Sequence, residues 1–257
     1  MLHEDRARAE SFGAIAPLYD RARPTYPAPL VDSLVADGAR SVLDVGCGTG
    51  IAGALFAARG CKVLGVEVDP RMAALARTKG LEVEVTAFEE WDHRGRRFDL
   101  VISAQAWHWV EPRSGAIRAA CALCDGGRIG LFWNHGDPPA HVRDLLAPIY
   151  HRLAPDIENY SILLGQGDER TAETTRYLGG SGAFGEVEIR RFPWTQAYAT
   201  AEWLDHLRTH SDHCALPPAR LKELLEAIGG AIDSVGGSFE MPYEALLVTA
   251  RVLRHPR

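Results

Sequence analysis

The chain has 257 residues, 46% of them hydrophobic and 24% charged, with a net charge of -6. That length suits one large α/β domain, or a domain with a substantial insertion, and the composition excludes disorder throughout. No block of basic residues is present and only Lys62, Lys79 and Lys222 are lysines, so a nucleic-acid partner has little electrostatic support.

The opening segment, MLHEDRARAESF, is charged where an export signal needs an apolar core. The longest uncharged run, 45–58, is too short to span a bilayer, so no membrane partner is expected. The five cysteines leave at least one unpaired, which favours a reducing cytoplasm over a disulfide framework.

Residues 1–28 read as a short helix followed by an irregular, proline-punctuated cap, YDRARPTYPAP, and 29–37 as a helix. Strand and helix patterns then alternate. SVLDV is a buried strand, 51–59 a helix and CKVLGVEV a second strand. Asp69-Pro70 is a good N-cap and first position for a helix over 70–79. LEVEVTAF and FDLVISAQ are strands, 112–123 is helical, and GRIGLFWN is the fifth strand. Such alternation predicts a doubly wound, mainly parallel, Rossmann-like sheet. Beyond Asn134 the rhythm changes. Residues 137–180 read as mainly helical, interrupted by Pro148 and Pro155. GEVEIRRFPWTQAYA is a strand, 201–213 and 217–229 are helices, and SFEMPYEALLVTARVL is a long, antiparallel last strand. The expected organisation is a cofactor-binding core with its N-terminal cap over 1–136. In 137–257, helical insertions at about 137–180 and 200–230 would form a cap, and two strands would complete the same sheet.

The first βα turn, VGCGTG, follows a buried strand, where open α/β sheets place their ligands. Gly46, Gly48 and Gly50 allow a tight bend and a close backbone approach to a ligand. A dinucleotide fingerprint needs a third small residue at position 51, which is Ile. Asp44 ends the strand, where a carboxylate repels a pyrophosphate and attracts an ammonium group. Glu67, 21 positions after Gly46, suits an acid that grips two ribose hydroxyls. A site for a ribose and an amino group, without a phosphate, describes S-adenosylmethionine.

VLDVGCGTG, VLGVEVDPRM and FDLVISAQAWHWV, in this order and spacing, resemble the class I S-adenosylmethionine-dependent methyltransferases. AWHWV, with YDRARPTYP ahead of the first strand, resembles the small-molecule branch of trans-aconitate methyltransferase-like (methyltransferase type 11) proteins. The resemblance covers residues 12–135. It implies methylation of a small-molecule acceptor at O, N or C, with S-adenosylhomocysteine as product, by a monomer or homodimer. Two other readings stay open: a non-catalytic regulatory protein that binds S-adenosylmethionine, and a nicotinamide oxidoreductase, which Ile51 disfavours.

The resemblance implies that Tyr19, Arg23, Asp44, Gly46, Cys47, Gly48, Glu67, Val68, Met72, Ala87, Phe88 and Gln105 hold the cofactor. In this family the N-terminal Tyr-and-Arg segment folds over the methionine end, where Arg23 would pair with the carboxylate. Tyr26, Trp107, Trp133, His206 and His210 are candidates for acceptor contact. His108, on the loop after the fourth strand, is the catalytic candidate, against the plainer reading of a histidine packed between two indoles. Trp203, His206, His210 and His213 fall on one face of a helix, a spacing that reads as a lining stripe rather than a metal site, and no metal is expected. Cys121 and Cys124 read as helix packing.

Overall fold

The computed structural model describes residues 11–157 and 168–253. A 3-10 turn over Ser11–Ile15 leads into α1 (Ala16–Ala22) and α2 (Ala28–Val35). The alternating part follows as β1 (Ser41–Val45), α3 (Ile51–Ala57), β2 (Lys62–Glu67), α4 (Pro70–Thr78), β3 (Glu82–Val85), β4 (Phe98–Ala104), α5 (Pro112–Ala122) and β5 (Leu123–Gly136). The second half comprises α6 (Ala140–Leu153), α7 (Asp168–Gly180), β6 (Glu188–Ala199), α8 (Thr200–Leu207), α9 (Ser211–Cys214), α10 (Pro218–Ser234) and β7 (Ser238–Arg251).

All seven strands form one sheet in the order β3-β2-β1-β4-β5-β7-β6. The pairs among β1 to β5 are parallel, and β7 runs antiparallel to both β5 and β6. The inner strands are apolar on both faces because helices cover both. On one face Val42, Leu100, Ile102 and Leu247 pack against α2, α3 and α4. On the other, Leu43, Val45, Val101, Ile129 and Leu131 pack with Ala116 and Ala119 of α5 and Leu178 of α7. A third apolar cluster joins α6, α8 and α10 to Tyr198 of β6 and to Phe239, Met241 and Tyr243 of β7. This cap stands at the carboxyl edge of the sheet, because Gly136 at the end of β5 pairs with Tyr243 near the start of β7.

Local chemistry explains most boundaries. Asp69 caps α4, accepting from the Arg71 amide at 2.8 Å, with Pro70 at the first position. Glu111 caps α5 through the amides of Arg113 and Ser114. Three expectations change. Pro148 does not interrupt its helix but lies inside α6, whose apolar face (Val142, Leu146, Tyr150) is buried in the cap. The helix expected over 201–213 is two, α8 and α9, separated at Arg208–His210. The helical stretch 137–180 is also divided between two places: α6 joins the cap, and α7 packs beside α5 on the sheet face.

Asp99, at the start of β4, fastens the entry to β1. Its Oδ2 accepts from the amides of Arg40 and Ser41, both at 2.9 Å, and from Ser41 Oγ at 2.8 Å. Burial pushes its pKa up, but these donors together outweigh it and hold the carboxyl below the usual range. A depressed folded pKa adds stability above the unfolded value, near pH 4, and that stability is lost as pH falls through the folded pKa. Asp99→Ala is therefore expected to lower stability by about 2 kcal/mol at neutral pH. Urea unfolding at pH 7 and pH 3 should show the difference from the wild type shrinking in acid.

Candidate active-site cleft

β1 delivers Asp44 to the carboxyl edge and the glycine turn begins at once. Gly46, Gly48 and Gly50 have φ of 67°, 55° and 81°, in the left-handed region that favours glycine. The amides of Gly46 and Cys47 both donate to Val66 O, so the turn is folded against the end of β2. A Cβ on Gly46 would stand 2.6 Å from that of Ala106, so the loop after β4 lies directly on the turn. A Cβ on Gly50 would meet Leu81 and Ala76 instead, which makes Gly50 a packing glycine.

Asp44 is fully buried, and neither carboxylate oxygen has a hydrogen-bond partner of normal geometry. Burial first, and then the nearby Glu67, raise its pKa to about 7, with partial relief from the Gly53 backbone. Glu67 ends β2 with both oxygens engaged: Oε2 accepts from Gly48 N at 2.8 Å and Oε1 from Asp69 N at 3.0 Å. Its burial raises the pKa, and the amides of Asp69, Gly48 and Val68 oppose the rise.

A cleft of about 490 Å³, including its open mouth, lies over the turn. The N-terminal segment contributes Tyr19, Arg23 and Tyr26 to its lining. The first turn contributes Asp44, Gly46, Cys47 and Gly48, and the ends of β4 and β5 contribute Gln105 and Asn134. Arg23 stands over the Tyr19 ring at 5.0 Å and donates through Nη2 to Thr209 O at 2.7 Å, while its buried Nε–H has no acceptor. Tyr26 packs edge-on against Phe132, and burial pushes its phenol well up. Gln105 adopts φ 56°, held by its amide to Phe132 O and by its Nε2 to Asn134 O.

The structure thus gathers Tyr19, Arg23, Tyr26, Asp44, Gly46, Cys47, Gly48 and Gln105 around one cleft, with Glu67 immediately behind it. Val68, Met72 and Ala87 are outside this lining, toward β2 and β3. Phe88 is in the core with Trp91 and Trp107. Trp107 and Trp133 are sealed in that same cluster, so neither is on the cleft. For Trp133 the reason is strand alternation: it points into the core and its neighbour Asn134 reaches the cleft. His108 stands in a 3-10 turn, Trp107–Trp109, against the Trp109 ring and outside the cleft lining.

The histidine stripe survives the helix break as a buried hydrogen-bonded group in the cap. His206 Nδ1 reaches Ala22 O at 3.2 Å, His210 Nε2 reaches His206 Nε2 at 3.0 Å, and Tyr150 OH reaches His213 Nε2 at 2.9 Å. Burial, then the Arg23 charge, lower the pKa of His206 to about 3 and that of His210 well below its usual value. Asn134 and Thr209 are the site residues that sequence reasoning missed. Asn134 closes the fifth strand, GRIGLFWN, but a single asparagine at a strand end carries no spacing signal.

The cleft fits S-adenosylmethionine on its own chemistry. Its buried carboxylate without a donor suits an ammonium, its guanidinium with an unpaired N–H suits a carboxylate, and its glycine turn lets a ligand approach the backbone. A methyltransferase-domain family model matches residues 42–127. An uncharacterised methyltransferase of Mycobacterium bovis is 32% identical over 253 residues, covering 93% of this chain and 95% of the relative. A ubiquinone biosynthesis O-methyltransferase of Pseudomonas putida is 29% identical, covering 58% of this chain and 72% of the relative. Among solved structures, one described as a type II methyltransferase of Anaeromyxobacter dehalogenans superposes with a TM-score of 0.65 at 22% identity, covering 91% of this chain and 99% of that one. Phosphoethanolamine N-methyltransferase 2 of Haemonchus contortus, in complex with phosphomonomethylethanolamine and S-adenosylhomocysteine, superposes at 0.53 with 14% identity, covering 98% and 59%. The fold is that of the Rossmann-like methyltransferases. This chain belongs to the methyltransferase family. Among the described residues no helix is long and apolar enough to cross a membrane.

Gly46→Ala is expected to destabilise the protein by upwards of about 1 kcal/mol, because it adds left-handed strain to the clash with Ala106. Thermal unfolding compared with Gly38→Ala, at a left-handed glycine where a Cβ meets nothing, separates the clash from the backbone cost.

Proposed function

We propose that this enzyme transfers the methyl group of S-adenosylmethionine to a small-molecule acceptor. The observation that carries the reading is the buried, unpartnered Asp44 carboxylate facing the same cleft as Arg23. An amino acid's two charges match that pair. Glu67 would take the ribose hydroxyls on lone pairs left over from its two amide contacts. When bound, the cofactor supplies a sulfonium-activated methyl group. The protein holds and desolvates the reacting pair, and alignment of this kind lowers a barrier by about 7–11 kcal/mol. Cys47 lines the cleft without competing for the methyl group, because burial, then Asp44 and Glu67, raise its thiol pKa and keep it neutral.

Support for a small acceptor comes from relatives whose names carry small-molecule acceptors and from the modest size of the cleft. YDRARPTYP and AWHWV favour the trans-aconitate methyltransferase-like branch. For an acceptor that carries a proton we assign the base to His108, three positions beyond Gln105 on the same loop.

Binding a cation to Asp44 requires its ionised form, so a proton held below pH 7 must leave. Affinity for S-adenosylmethionine should rise with pH up to about 7, then fall above roughly 8 as the ligand's own α-amino group loses its proton. Calorimetry across pH 5.5–9 measures this, and Asp44→Asn should remove the acidic limb. Glu67→Ala should weaken binding by on the order of 1.5–3 kcal/mol. Unchanged affinity in that variant would sink the ribose assignment.

His108→Asn should keep cofactor affinity and, with a protonated acceptor, lose turnover by roughly 10²-fold. That loss should shrink at high pH, where the acceptor ionises unaided. Screening metabolite extracts with labelled cofactor, followed by mass spectrometry of the product, supplies the acceptor for this assay. If no component of the extract yields S-adenosylhomocysteine, methyl transfer is not the function.

A further inference from the structure

Asn134 lies on the cleft at the carboxyl end of β5, and each of its polar groups is tied to a different element. Its Nδ2 donates to Thr25 O of the N-terminal segment at 2.8 Å. Its Oδ1 accepts from Trp194 Nε1 of β6 at 3.2 Å. Its backbone oxygen accepts from Gln105 Nε2 at 3.1 Å. The two side-chain contacts fix the amide's orientation, since a flip would set an amide nitrogen against the indole N–H and an oxygen against a carbonyl.

The three tied elements border one end of the cleft. Thr25 lies between Arg23 and Tyr26, both on the lining. Gln105 holds a left-handed backbone conformation (φ 56°) beside Ala106, the residue that presses on Gly46. Trp194 stacks on Tyr243 of the cap, with centroids 4.9 Å apart and planes at 20°. Tyr243 in turn bonds Tyr198 through their hydroxyls at 2.8 Å. In the sheet order, β1 separates β2 and its Glu67 from β4 and β5. Asn134 and Gln105 therefore stand at the end of the cleft remote from Glu67.

The geometry points to Asn134 as the positioning residue for the amino-acid end of the methyl donor, one that also couples this end to the cap. It acts through Thr25, which keeps Arg23 and Tyr26 over the cleft, and through Gln105, which borders the glycine turn. It leaves the adenosine end alone. This inference rests on the donor reading above, and it adds a residue and a division of labour that the reading does not contain.

The test uses three ligands and needs no acceptor. Calorimetry on the full chain compares S-adenosylmethionine and S-adenosylhomocysteine, which carry the amino-acid end, with 5′-methylthioadenosine, which lacks it. Asn134→Ala should weaken the first two by about tenfold, the loss of one or two hydrogen bonds, and leave methylthioadenosine within about twofold of its wild-type affinity. Asn134→Asp should behave like the alanine variant, because its carboxylate still accepts from Trp194 but faces Thr25 O with no donor. Trp194→Phe keeps the stack on Tyr243, removes only the indole donor, and should show the same selectivity to a smaller degree. It carries the test if the Asn134 variants fail to fold. An equal loss for all three ligands, or no loss for any, overturns the positioning role. Wild-type protein that binds none of the three overturns the donor reading itself, and the positioning role with it.

Discussion

Asp44 holds a carboxyl group in the interior with neither oxygen in a hydrogen bond of normal geometry. An unpaired buried polar group costs free energy, and an unpaired charge costs more. The surrounding structure has to be firm enough to keep it there. β1 is paired on both sides, with β2 and β4, and Ser103 Oγ fastens the strand end by donating to Val45 O at 2.7 Å. A Cβ on Gly53 of α3 would stand 3.0 Å from an Asp44 oxygen, so the glycine lets the helix lie close beside the carboxylate. Strain of this kind persists only where neighbouring elements over-determine it, and it marks functional positions. The glycine turn, the Ala106 contact and the folded-back Glu67 are all arranged around this one residue.

The N-terminal segment provides the complementary charge and the cap keeps it undiluted. Arg23 is anchored on Thr209 O, and its histidine neighbours His206 and His210 are held neutral. Since a carbonyl accepts from His206 Nδ1, the Nε2 of His206 is an acceptor and His210 Nε2–H donates to it. Asp212 Oδ1 takes the His213 Nδ1–H, and Tyr150 OH lies 2.9 Å from His213 Nε2. His206 and His210 are thus joined by a directional bond between neutral rings, and Arg23 has no carboxylate counter-ion among the described residues. Ion pairs lie at the rim instead: Asp20 with Lys79, the residue after α4, and Arg21 with Asp205 on α8. These clamp α1 between core and cap.

The alternating half was legible because period, caps and glycine punctuation agree. SVLDV became β1 over the residues expected, and Asp69-Pro70 opened α4 as its chemistry dictates. The charged half of the cleft was legible for a similar reason, since Asp44 and Glu67 sit at strand ends a fixed distance apart. What escaped depends on contacts remote in sequence. Pro148 reads as a breaker, but tertiary burial of Val142, Leu146 and Tyr150 carries the helix through it. Trp133 and Asn134 are adjacent, and only the side of the strand each faces decides which is core and which is cleft. The bonds of Asn134 span 29, 60 and 109 positions, a range over which no local pattern speaks.

The strand order also has a consequence for how the chain is made. β7 follows β6 in sequence yet lies between β5 and β6, bonded to both. While the polypeptide emerges from a ribosome, β6 has no strand to pair with and β5 has an open flank until β7 has been synthesised. The cap is subject to the same delay, because Phe239, Met241 and Tyr243 are part of its apolar cluster. The nucleotide-fold half can assemble early from neighbouring segments, whereas the sheet's far edge and the roof above the cleft close together in a late step dominated by long-range contacts, which are slow to form. During that interval the twelve residues of β6, Arg190, Arg191 and Pro193 among them, lie exposed. With Glu188, that puts three charges and a proline in an unpaired strand, which restrains such an edge from joining another chain.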